Sequence, residues 1–75
     1  MIRTPVESSN IDSIGYVHDS QTLQIAFKAK DGVRAYNYAN VPPELYQEFM
    51  AAESKGKFFI ARIKGNPAYP CEKVG

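Results

Sequence analysis

The chain has 75 residues, 44% of them hydrophobic and 23% charged, with nine Lys and Arg against eight Asp and Glu for a formal net charge of +1. So short a chain hides only about 60% of its unfolded surface, which leaves room for one core and excludes two domains. The near-neutral charge excludes the strongly basic balance of an obligate nucleic-acid binder, and a single cysteine excludes an internal disulfide.

Four Phe and five Tyr are enough large side chains to close a small interior, so residues 1–75 read as one folded domain. Net stability at this length is roughly 4–11 kcal/mol. Residues 1–10 carry Thr4, Pro5, Ser8, Ser9 and Asn10 with little apolar periodicity and read as an N-terminal arm. From Ile11 to His18, Ile14 and Tyr16 share one face of a strand, and Gly15 leaves the other face bare, as at a bulge. Asp19-Ser20-Gln21 reads as a turn. Leu23, Ile25 and Phe27 alternate with Gln24, Ala26 and Lys28, the clearest strand signal in the chain. Asp31-Gly32 reads as a primed hairpin turn, since glycine accepts positive φ, and Val33 to Tyr38 returns antiparallel.

After Asn40 the pattern changes. Val41-Pro42-Pro43 cannot sit in a central strand, but Pro43 suits the first turn of a helix and Glu44 its positive end. Leu45, Tyr46, Phe49, Met50 and Ala52 or Glu53 then make an apolar stripe, with Gly56 as the stop. Phe59, Ile60 and Ile63 predict a shorter second helix ending at Gly65 before Pro67. Residues 66–75 read as an irregular C-terminal tail. The expected fold is α+β: a three-stranded antiparallel β-meander followed by two short α-helices packed on one sheet face. Leu23, Ile25, Phe27, Leu45, Phe49 and Ile63 are the expected core.

Read in order, Ser8-Ser9, Ile14-Gly15-Tyr16, Leu23/Ile25/Phe27, Tyr36-Asn37-Tyr38, Val41-Pro42, Tyr46, Ser54-Lys55-Gly56-Lys57-Phe58-Phe59 and Ile63-Lys64 resemble the pattern of the KTSC domain. The resemblance covers about residues 6–70. That family is named for the C-terminus of some lysyl-tRNA synthetases and also occurs as small free-standing bacterial and phage proteins. Its signature Tyr-x-Tyr pair is matched by Tyr36 and Tyr38. Val17 and Ile60 depart from the family pattern, at places where an acidic and a polar residue are usual. The resemblance implies a fold more than an activity, and the synthetase fusion implies an association with RNA.

Candidate chemistry is sparse. One His and one Cys far apart do not make a metal site, and no cofactor is expected. His18 lacks a neighbouring nucleophile, and Cys71, between Pro70 and Glu72, lacks a base and an oxyanion pocket. Ser8 and Ser9 suit the backbone groups of a turn better than a nucleophilic site. No catalytic residue is nominated, and the chain reads as a binding module rather than an enzyme.

Two features bear on binding. Tyr36 and Tyr38, two apart on a strand, project from one face roughly 6.6 Å apart, with Arg34 on the same side. If that face is open they form a platform on which bases stack; if it meets the helices they are core. The second feature is segregated charge. Residues 41–54 hold Glu44, Glu48 and Glu53 and no base, whereas residues 55–64 hold Lys55, Lys57, Arg62 and Lys64 and no acid. These four cations with Arg34 are the candidate nucleic-acid contacts, extended by Lys28 and Lys30, against the alternative of bases scattered for solubility. RNA, tRNA-like in particular, is the first expected partner. A protein partner or a second copy, using the sheet edge or the outer sheet face, is the other. Met1 to Pro5 lacks the apolar core of a signal peptide, and no stretch approaches the ~20 apolar residues of a membrane span. The expected location is the cytoplasm, with no membrane partner.

Overall fold

A computed structural model describes residues 2–74. Five strands, β1 (Thr4–Pro5), β2 (Ile11–Val17), β3 (Thr22–Ala29), β4 (Gly32–Tyr38) and β5 (Cys71–Lys73), form one antiparallel sheet in the order β1-β2-β3-β4-β5. Between β4 and β5 come α1 (Pro43–Ala51), α2 (Lys55–Phe58) and a π-helical turn (Phe59–Ile63) that continues α2 without a break.

The central hairpin follows from alternation. Leu23 pairs with Tyr38, Ile25 with Tyr36 and Phe27 with Arg34, so these residues share one face. Ile14 opposite Ile25, and Tyr16 opposite Leu23, extend that face onto β2. The helices cover it: Ile11, Ile14, Leu23, Ile25, Tyr38, Val41, Leu45, Phe49, Phe59 and Ile63 make one buried cluster. Five of the six expected core residues lie in it, and Phe27 packs against it half-buried. Its strongest members are the fully buried Phe49 and Ile63 on the helices, facing Leu23 and Ile25 on the sheet.

The meander is wider than three strands. The arm contributes β1, with Thr4 paired to Ile14 and Pro5 to Ser13. The tail contributes β5, with Tyr38 paired to Cys71 and Tyr36 to Lys73, and Ala39 N–H to Pro70 O and Val74 N–H to Ala35 O lengthen that ladder. Both are edge strands of two or three exposed residues, too short to show period-two patterning, and Pro5 is tolerated because its strand is at an edge.

Several local boundaries also differ from expectation. The β2 irregularity falls between Ile11 and Ser13, at Asp12, and not at Gly15. Counting back from the Thr4–Ile14 pair, Arg3 lies beside Gly15 on the outer face. On that face the Arg3 guanidinium donates to Gln24 Oε1 (2.9 Å), and Gln24 Nε2 donates on to Asn37 Oδ1 (2.9 Å). The β3–β4 hairpin reverses at Lys30 and Asp31, whose φ values are not positive; Gly32, at φ 135°, opens β4 instead. Helix α1 starts at Pro43 but ends at Ala51, because Ala52 is extended and returns its N–H to Phe49 O. Ala52 and Glu53 therefore leave the stripe. Gly56 is not a stop: Ser54 caps α2 by accepting from Lys57 N–H (3.3 Å), which puts Gly56 inside the first turn.

Candidate functional site

The Tyr-x-Tyr pair sits on the helix-covered face of β4. Tyr38 is buried, its ring edge-on to Phe59 at 5.6 Å, and Tyr36 is half-buried, edge-on to Phe27 at 5.8 Å. Of the two readings open for this pair the structure adopts packing, and no open stacking platform forms. Burial first, and the adjoining Cys71 thiol second, push the Tyr38 phenol well above its ordinary pKa.

The nominated cations separate into two groups. Arg34, at the start of β4, lies 3.9 Å from Asp31 across the hairpin, both well exposed. Arg62 lies 3.7 Å from Glu48 on α1 and 5.3 Å from the centre of the Phe58 ring. These two arginines point their charge at the protein's own groups. Lys55, Lys57 and Lys64, by contrast, line a set of connected clefts.

The first cleft, about 330 Å³, runs between the Ser8–Asn10 turn and the start of α2. Both walls are built by hydroxyl caps: Ser8 Oγ accepts from the N–H groups of Asn10 (3.3 Å) and Ile11 (3.2 Å), as Ser54 Oγ does from Lys57. A second cleft of about 330 Å³ shares Asn10, Gly56 and Ile60 with the first and adds Phe27, Phe59, Lys28 and Lys64. A third, about 380 Å³, shares Phe27, Phe59 and Lys64 with the second and reaches Tyr38 and Cys71. Together they form one trench from the arm to β5.

Four lysines line this trench against Glu7 and Glu53, which both lie at its arm end. Lys28 donates to Ser8 O (2.7 Å) and Lys55 to Ala52 O (3.2 Å). Among the described residues the ammonium groups of Lys57 and Lys64 have no protein partner. Ile60, expected on the apolar face of the second helix, is 62% exposed on the trench rim instead. Within the π turn Phe59 and Ile63 face the core, and Ile60, about a quarter turn from Phe59, does not.

Among the described residues no group of three or more His, Cys, Asp or Glu converges on a point where a metal could sit. No described helix is long and apolar enough to cross a membrane.

Comparison with known proteins fits this frame. The KTSC domain profile matches residues 7–69, from the arm through both helices. The chain belongs to the KTSC family. A crystal structure of a KTSC domain protein from Yersinia pestis superposes with a TM-score of 0.87 at 46% identity, covering 99% of this chain and 97% of that one. A protein of Tsukamurella paurometabola is 42% identical over 60 residues, spanning 80% of this chain and 85% of its own length. One of Stutzerimonas stutzeri is 36% identical over 59 residues, 79% of each. The KTSC match takes in every residue of the first cleft, whereas β5 lies beyond it.

Proposed function

We propose that this KTSC domain is a non-catalytic binding module that takes RNA in the lysine-lined trench. The observation that carries the reading is the joining of three clefts along one path, with Lys55 and Lys57 in the first and Lys28 and Lys64 beside the rings of Phe27 and Phe59 in the second. Cations that follow a backbone, next to apolar and aromatic surface that a base can touch, are the two ingredients of sequence-tolerant RNA binding. Arg34 and Arg62 fall outside this path, and Lys28 joins it. With two ammonium groups that have no partner among the described residues, binding is weak and falls with salt.

An electrophoretic titration with transfer-RNA-sized RNA at low salt tests the reading. A shift at micromolar protein, lost as salt rises, supports it; no shift at high micromolar protein removes it.

The second reading is a protein-interaction or self-association module, favoured by β5. That strand ends the sheet with three exposed residues, followed by the exposed Val74, and offers its unpaired edge to another strand. Sedimentation that changes with concentration, with no RNA shift, is the outcome expected of it.

A further inference from the structure

Gly56 is placed where the fold itself does not ask for glycine. It stands in the first turn of α2, where glycine weakens a helix relative to alanine. Its φ is not positive, unlike those of Gly32 and Gly65. A Cβ added there meets only Asn10 Nδ2, at 3.7 Å, which is ordinary contact. Neither backbone conformation nor packing explains the residue. The remaining physical use of glycine is to let another chain come close to the backbone, and Gly56 lies where the first two clefts join.

We propose that the floor at Gly56 seats the sugar–phosphate chain of unpaired RNA, and that the trench selects single strands over duplex. The inference rests on the RNA reading and narrows it. Lys57, beside Gly56 in the first cleft, and Lys64, farther along in the second, have ammonium groups with no partner among the described residues and suit phosphates of one strand. Glu7 and Glu53 share the first cleft with Lys55 and Lys57, whereas the second holds Lys28 and Lys64 and no acid, so phosphate is favoured on the Lys64 side of Gly56. Ile60, one turn from Gly56 and 62% exposed, offers an apolar surface for the face of a base. Only an unpaired strand can use it, because a duplex keeps its base faces inside the stack.

Fluorescence anisotropy with a short labelled oligouridylate, the same length of duplex RNA, and polyglutamate tests this at low salt. The oligouridylate binds at least about tenfold tighter than the duplex, an advantage in the range of one base contact. Gly56→Ala raises Tm yet weakens oligouridylate binding about tenfold, a combination that a purely structural glycine cannot give. Ile60→Glu, at an exposed position, weakens it comparably and keeps the test open if alanine disturbs the turn. Duplex binding as tight as the single strand overturns the inference and leaves the RNA reading standing. Wild-type affinity in both variants overturns the assignment of the floor. Polyglutamate binding tighter than oligouridylate overturns it in favour of an acidic protein segment. No binding of either RNA overturns this inference and the RNA reading together.

Discussion

The ring of Tyr16 on β2 lies flat against that of Tyr46 on α1, centroids 4.4 Å apart and planes within 6°. The Tyr16 hydroxyl also donates to the Val41 carbonyl in the link between β4 and α1. One side chain thus fixes the sheet to both the helix and the segment leading into it, while His18 packs edge-on against its ring at 4.8 Å.

Tyr16→Phe keeps the stack and removes the donor to Val41, so it should cost about 1 kcal/mol. Tyr16→Ala removes both and should cost about 3 kcal/mol. Urea unfolding of the two variants separates ring from hydroxyl; equal losses would show that the hydrogen bond carries the clamp.

Phe49→Ala opens a cavity at a fully buried site between α1 and the sheet. The expected cost is about 3–5 kcal/mol, a large part of what a chain of this length holds in reserve. Circular dichroism should show a much lower Tm or an unfolded population at room temperature. A Tm within a few degrees of wild type would mean the helix is not packed as described.

Alkaline stability depends on Tyr38. Burial, then the Cys71 thiol, raise its phenol above the ordinary value of 10.0. The unfolded chain releases this proton near pH 10 while the folded chain keeps it, so the folded state binds more protons there. The stabilisation is complete below that pH and is lost as pH rises above it. Tyr16 shifts in the same direction, through burial first and Glu44 second. Tyr38→Phe should therefore make the fall of stability above pH 10 shallower, measured as urea midpoints against pH. An unchanged slope would contradict the burial of the phenol.

Arg34→Ala should leave RNA affinity within about twofold, because its charge faces Asp31 at the hairpin and it lines none of the three clefts. Lys57→Glu with Lys64→Glu should weaken binding by about tenfold or more and flatten its salt dependence. Anisotropy at several salt concentrations checks both. An arginine effect as large as the lysine effect would place the contact surface at the hairpin.

The sequence shows the central hairpin because Leu23, Ile25 and Phe27 alternate cleanly, and shows the start of α1 because Pro43 and Glu44 suit a first turn. It hides β1 and β5, whose two and three residues are held by pairing to β2 and β4 and by no pattern of their own. The basic run from Lys55 to Lys64 is visible as composition, yet which cations share a surface depends on winding. Ile60 in the π turn lies on the trench rim, while Arg62 meets Glu48 and Phe58. Lys28, which the sequence offers as an extension of the basic patch, enters the trench from a distant strand, where it donates to Ser8 O.

The most direct test of the trench is to titrate isotope-labelled protein with single-stranded RNA and follow each backbone amide by NMR. Shifts should concentrate at Ser8–Asn10, Gly56, Lys57, Ile60 and Lys64, with the β5 edge and Arg34 unmoved. Shifts centred on Glu72 and Lys73, or none at saturating RNA, would contradict the account.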